Sequence, residues 1–186
     1  WCRKENRKLE IEVNDWAMAD MLKSDFPELI PCYGRLLNKR KKDPRMAYKL
    51  GERILFEQNS VHAAFYREYL KEEFRMERYE WESCGDTSTG KFPEGKNSLH
   101  LPFYQTNTSQ YCPMYATCVE GSRGAQVPVR KCPRFCEEQA FLYPEHLRMV
   151  GRYNSLFALD ESSVSGMADT EGWKEKRIDR IVVNLL

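Results

Sequence analysis

Apolar positions along this chain recur mainly at helical spacing, with one exception at the start. Leu9, Ile11 and Val13 alternate with polar residues, which predicts an edge strand or an extended arm. Asn14 then offers an N-cap for a helix carrying Trp16, Ala17 and Met21. Pro27 and Pro31 punctuate the next stretch. A second helix is expected from Pro31, with Tyr33, Leu36 and Leu37 on it. It would end in the run Lys39, Arg40, Lys41, Lys42, where cations suit the negative end of the helix dipole.

Asp43-Pro44 joins a capping residue to a proline suited to the first helical position. Met46, Leu50 and Ile54 then repeat every fourth residue beside Ala47 and Leu55, giving one apolar face. Asn59-Ser60 can cap a further helix from Val61 to about Glu82. It would carry Phe65, Tyr66, Tyr69, Leu70, Phe74, Tyr79 and Trp81. The pairs Glu68–Lys71, Glu72–Arg75 and Arg78–Glu82 would each add about 0.2–0.5 kcal/mol along it. So short a link predicts an antiparallel helical hairpin over 44–82.

At Cys84-Gly85 the texture changes. Gly85, Gly90, Gly95, Gly121 and Gly124 mix with Pro93, Pro102, Pro113, Pro128 and Pro133, which predicts a long irregular segment. Helical character returns at Cys136-Glu137-Glu138. Pro144 is expected to open a helix with Leu147, Val150, Tyr153 and Phe157, and 160–167 reads as a Ser-rich linker. Thr170 would cap a last helix bearing Ile178, Ile181, Val182 and Leu185. The expected fold is mainly α: a helical hairpin core, a long irregular Cys-rich loop and two C-terminal helices. Its regions are 1–83, 84–136 and 137–186, within one structural unit.

Composition narrows the function. A net charge of +1 over 186 residues lacks the basic excess of a dedicated nucleic-acid binder. No apolar run approaches a membrane span, so membrane contact is expected only through partners. Ten Tyr, nine Phe and four Trp supply material for core and for protein contacts alike. The chain opens on Trp1 rather than Met, as it would after removal of a targeting peptide or trimming.

Seven cysteines are many for this length, and the odd number leaves at least one thiol unpaired or bonded to another chain. Cys112, Cys118, Cys132 and Cys136 cluster where apolar residues are sparse. The leading expectation is two nested disulfides, Cys112–Cys136 and Cys118–Cys132, each stabilising by roughly 2–4 kcal/mol. The alternatives are a zinc site on these four thiols, or on three of them with His100 or His146, and four free thiols. Cys112-Pro-Met-Tyr-Ala-Thr-Cys118 with Val129-Arg-Lys-Cys132-Pro-Arg-Phe-Cys136-Glu resembles a little the end of the frizzled-type cysteine-rich domain, over about 26 residues. The rest of that family's cysteine framework has no counterpart in this chain, and the family is not adopted. Paired cysteines between helices are also similar to oxidised proteins of the mitochondrial intermembrane space, although only Cys132–Cys136 has their spacing. Asn107-Thr108-Ser109 is a formal N-glycosylation acceptor.

Catalytic chemistry has little to stand on. His62 reads as a solvated or capping residue, His100 as a loop packing residue and His146 as exposed. No nucleophile elbow, phosphate loop, dinucleotide fingerprint or HExxH occurs. The pairs Glu72-Glu73 and Glu137-Glu138 read as solvated faces, as does the Lys39–Lys42 run. No cofactor, small-molecule substrate or catalytic residue is assigned. The expected function is a non-catalytic accessory subunit of a large mitochondrial assembly, a respiratory complex or ATP synthase, bound to other protein subunits. An intermembrane-space side is the expected location. The rival expectations are an extracellular disulfide-stapled binding module and a zinc-stabilised protein of a ribonucleoprotein particle.

Overall fold

The computed structural model describes residues 8–42, 44, 58–84, 91–165 and 169–186. Its main body is a parallel sheet of five strands. These are β1 (Glu10–Val13), β2 (Ile30–Tyr33), β3 (Arg78–Glu82), β4 (Lys96–Leu101) and, numbered ninth in chain order, β9 (Arg180–Val183). They lie side by side in that order, all parallel. Helices α1 (Trp16–Asp25) and α2 (Ala64–Phe74) pack on one face.

Between β4 and β9 the chain builds a second sheet, antiparallel, in the order β5 (Phe103–Thr108), β8 (Ser155–Leu159), β7 (Met149–Arg152) and β6 (Phe141–Leu142). A cis Leu101–Pro102 bond joins β4 to β5. Three short helices complete the described residues: α3 (Pro113–Glu120), α4 (Glu161–Ser165) and α5 (Thr170–Glu175).

Alternation along the parallel strands separates two faces. Ile11, Val13, Tyr33, Tyr79, Trp81, Leu99, Leu101 and Ile181 point to the helices. There they join Ala19, Leu22, Val61, Leu70, Met76, Phe92, Trp173 and Ile178 in one apolar core. Even this face has a buried polar hub. Trp81 Nε1 donates to Asn97 Oδ1 at 2.9 Å, while Asn97 Nδ2 donates to the carbonyls of Pro93 and Arg177. The opposite face carries Glu10, Glu12, Cys32, Arg78, Glu80, Glu82, Ser98, His100 and Arg180.

The sheet is strongly curled. Glu10 on β1, at one edge, pairs both with Arg78 on the central strand β3 and with Arg180 on β9 at the far edge. The charged face is therefore concave, and its side chains meet one another across the curl.

This α/β architecture corrects the mainly α expectation. The helix expected from Pro31 is replaced by β2, and its basic run is non-helical. The helix expected to reach Glu82 stops at Phe74. Arg75 takes a left-handed φ of 58° there, and β3 follows. Of the expected helical ion pairs, Lys71 meets Glu77 instead, and Arg78 turns to Glu10 and Asp179. The segment expected to be irregular holds β4, β5 and α3. The helix expected after Pro144 is a 3-10 turn followed by β7 and β8. The last helix ends at Glu175, and Ile181 and Val182 belong to β9. The expected apolar face at Met46, Leu50 and Ile54 lies outside the described residues, as do Trp1 and Cys2.

Candidate functional site

Ligands of parallel α/β sheets bind beyond the carboxyl ends of the strands, where loops diverge and side chains are held on rigid elements. In this protein that end is also where the concave face opens. The face is built in three tiers, and each tier pairs its own charges.

The tier at the amino ends is closed. The Arg78 guanidinium, only 7% exposed, donates to Glu10 Oε1 at 3.1 Å, to Ser98 Oγ at 3.1 Å and to both oxygens of Asp179 at 3.0 and 2.8 Å. Asp179 Oδ1 also accepts from Asn97 N at 2.7 Å. Burial works to raise the Asp179 carboxyl, but the hydrogen bonds and charge of Arg78 outweigh it and hold the group below its ordinary value. Glu10 is held low in the same way by Arg180 and Arg78. Burial alone would lower Arg78, and its two carboxylate partners raise it instead.

The middle tier pairs Glu80 of β3 with His100 of β4, Nε2 to Oε2 at 2.7 Å, both groups buried. Cys32 of β2, in register with Glu12, faces the same concave side near Glu10, Arg78 and Glu80. Burial pushes its thiol up to about 12, so it is not a nucleophile at neutral pH.

The tier at the carboxyl ends is the candidate site. Glu12 Oε1 accepts from Arg35 N at 3.1 Å and Arg35 Nε at 3.0 Å. Arg35 Nη1 lies 3.8 Å from Glu82 Oε1, so one guanidinium spans two carboxylates on different strands. Glu82 also receives the Lys42 ammonium and, at 3.2 Å, the backbone N–H of Gln105 from the second sheet. Arg40 donates to the Glu82 carbonyl. Burial pushes the Glu12 carboxyl up, but its hydrogen bonds to Arg35 prevail and it sits below its ordinary value.

Lys42 also lines a cavity of about 370 Å³ that continues over the second sheet. Pro44, Thr106, Asn107, Tyr143, Leu147, Met149 and Leu156 complete the lining. Hydroxyl, amide and ammonium groups thus face an apolar floor, the composition of a small-molecule site.

The basic run expected to be a solvated helix end instead crosses the mouth of the sheet, with Arg40 and Lys42 directed at Glu82. His100, expected in a loop, is a buried strand residue. His62 does cap: its Nδ1 accepts from Asn59 N at 3.2 Å in a capping box. His146 is exposed. Asn107 is exposed beside the irregularity between Gln105 and Asn107 in β5. Glu12 and Glu80 were not singled out in the sequence, and Glu82 only as an expected helical partner of Arg78. The signal for two of them was present in Arg78-Tyr-Glu-Trp-Glu82, where charged and aromatic residues alternate with period two.

The expected disulfides are absent. Cys32, Cys84, Cys112, Cys118, Cys132 and Cys136 are all free thiols. Cys112 instead caps α3, its sulfur accepting from Tyr115 N at 3.4 Å. Cys118 faces Gln139 at 4.0 Å, and Cys132 is exposed. Cys112 and Cys118 sit at the start of and within α3, and Cys136 lies in a 3-10 turn before β6. Among the described residues no group of three or more His, Cys, Asp or Glu side chains could hold a metal ion, which leaves the zinc alternative without a ligand set. The mitochondrial and respiratory-chain expectation rested mainly on bonded cysteines and loses that support.

No helix among the described residues is long and apolar enough to cross a membrane. Comparison with known proteins found no matching family model, no matching curated protein and no matching solved structure.

Proposed function

We propose that this protein binds a small, uncharged, hydroxyl-bearing ligand, of the saccharide or nucleoside kind, at the carboxyl edge of its parallel sheet, without chemical turnover. The observation that carries this reading is the Glu12–Arg35–Glu82–Lys42 tier opening on the cavity lined by Thr106, Asn107 and Tyr143. Glu12 and Glu82 are paired with Arg35 and Lys42, and Arg40 is turned to the Glu82 carbonyl, so the charges of the tier are engaged within the protein. What the lining offers is hydrogen-bonding side chains beside the apolar Leu147, Met149 and Leu156, which suits a ring with polar edges. The same pairing argues for binding rather than catalysis, because each carboxylate is already engaged by a cation.

The experiment is titration of the isotope-labelled protein with methyl glucoside and with adenosine, followed by amide NMR. Saturable shifts at Thr106, Asn107 and Tyr143, weakened at least about tenfold by Tyr143→Ala, are expected; a tenfold loss is about 1.4 kcal/mol of binding. No saturable shift with either probe, or shifts that survive Tyr143→Ala combined with Asn107→Ala, would overturn the reading.

A second reading keeps the protein as a non-catalytic accessory subunit of a larger assembly. It is favoured by Phe65, Tyr69 and Trp16, which stay 75, 48 and 43% exposed on α2 and α1. Phe65→Ser with Tyr69→Ser should leave the fold intact and release the chain from any larger particle in a native extract. Unchanged sedimentation would remove this second reading.

A further inference from the structure

On the helix side of the sheet, away from the carboxyl-edge site, a separate cavity of about 250 Å³ lies among Trp16, Tyr33, Leu37, Asn38, Lys39, Asn59, Ser60, Val61 and Tyr66. Three aromatic rings form its walls. Trp16 and Tyr33 have centroids 6.2 Å apart with planes tilted by 47°, and Tyr33 and Tyr66 are 6.2 Å apart and nearly perpendicular at 81°. At these separations the rings pack against one another, so they form one continuous aromatic wall beside the cavity.

The polar part of the wall is fixed. Tyr33 Oη donates to Leu37 O at 2.9 Å and lies 3.2 Å from Tyr66 Oη. With the Tyr33 proton committed, Tyr66 is the donor in that pair, and its own oxygen keeps an acceptor site. Asn38, 5% exposed, donates to Glu80 O at 2.9 Å and accepts from Asn59, whose Oδ1 in turn takes Val61 N. These amides are committed to the protein and act as a rigid rim. Lys39 is the lining residue with a full charge; it is exposed, and no ion pair to it is found among the described residues. Arg40 and Arg67 add positive potential nearby, and both disfavour protonation of His62, after burial as the leading cause. Asp15, beside Trp16 in the chain, is engaged with Met18 N at 2.8 Å as the cap of α1.

We infer that this cavity is a second ligand site, for a single planar aromatic ring bearing a carboxylate. The ring would stand against Trp16 and Tyr66, edge-on to Tyr33, and the carboxylate would lie toward Lys39. The volume admits one ring with a short substituent and excludes a fused, drug-sized ligand. Aromatic contacts of this geometry contribute beyond the apolar area they cover. The inference is independent of the carboxyl-edge reading, because the two cavities share no lining residue.

Fluorine NMR with 4-fluorobenzoate and its neutral analogue 4-fluorobenzyl alcohol tests it. Both probes should bind saturably, the benzoate more tightly. Trp16→Ala and Tyr66→Leu should each weaken both probes about tenfold, or about 1.4 kcal/mol. Lys39→Gln should reduce the preference for the benzoate and leave the alcohol unchanged. Lys39 is exposed and unpaired among the described residues, so that variant folds whatever the fate of the aromatic ones. Absence of saturable binding by either probe, or a benzoate preference undiminished in Lys39→Gln, would overturn the proposal. A failed glucoside and adenosine titration would leave it untouched.

Discussion

His100 of β4 and Glu80 of β3 meet side by side on the concave face, Nε2 to Oε2 at 2.7 Å, with each residue less than a tenth exposed. Each supplies the partner that the other would otherwise lack in a buried setting. Glu80→Ala and His100→Ala are each expected to cost about 2–4 kcal/mol, since removing one member strands the other. The double variant should cost less than the sum, with a coupling of at least about 1 kcal/mol in a urea-denaturation cycle. Additive single effects would mean that the pair contributes nothing as a pair.

Arg78 is the hub of the amino-end tier, and its loss should change the pH dependence of stability as well as its size. Glu10, Glu12 and Asp179 have folded values below their ordinary 4.5, 4.5 and 3.8. The stability they contribute is therefore complete above pH 4.5 and is lost as the pH falls through the lowered folded values. His62 is held below 6.5 chiefly by burial, so its contribution is present above that pH and begins to fall below it. Denaturation measured between pH 7 and 3 should show a shallow decline from His62 and a steeper acid limb. Arg78→Met should flatten the share of the acid limb due to Glu10 and Asp179 and leave the share that Arg35 holds through Glu12, and His62→Gln should flatten the shallow limb alone.

Gly34 follows β2 at the point where the chain turns toward the carboxyl-edge tier. A methyl group there would lie 2.4 Å from both Val13 O and Asn14 Oδ1. Those atoms already accept hydrogen bonds from Gly34 N at 2.8 Å and Leu36 N at 2.9 Å. Gly34→Ala should thus separate the carboxyl ends of β1 and β2 and cost about 1–3 kcal/mol. It should also displace Arg35 from Glu12 and Glu82, which melting curves and amide NMR at residue 35 would reveal.

The six described thiols should differ sharply in reactivity. Cys118 and Cys132 are exposed, while Cys32 is 2% exposed with a thiol pushed up by burial to about 12. Iodoacetamide on the native protein at pH 8 should label Cys118 and Cys132 first and leave Cys32 unmodified until denaturant is added. Peptide mapping by mass spectrometry gives the order. Early labelling of Cys32 would contradict the buried middle tier.

The edge strand was legible from Leu9, Ile11 and Val13, because an apolar face backed by a charged one leaves a period of two. α1 was legible too, shifted by one residue at its cap from Asn14 to Asp15. The central strand was not. Arg78, Glu80 and Glu82 resemble the solvated flank of a helix as long as charges are assumed to face water. Here they face one another across a curl, a relationship among distant strands that no local window contains. The carboxyl-edge tier failed for the same reason: Glu12, Arg35, Lys42 and Glu82 come from separate segments. The cysteine cluster misled in the opposite sense. Its glycines and prolines suggested a segment in need of cross-links, whereas Cys112 and Cys118 belong to α3 and its cap, and the chain on either side of the cluster is paired in the second sheet.

Glu10 and Arg180 close the curl of the sheet from its two edges, although they stand 170 residues apart in the chain. Five parallel strands in sequence order need a crossover for each neighbour, and β9 joins β4 only after the whole antiparallel sheet has been threaded between them. Pairings so distant carry a large loop-closure entropy before they return any contact energy. The rate-limiting event in assembling this protein is thus expected at its last strand. On a ribosome, the charged trough would stay open to solvent until β9 has emerged.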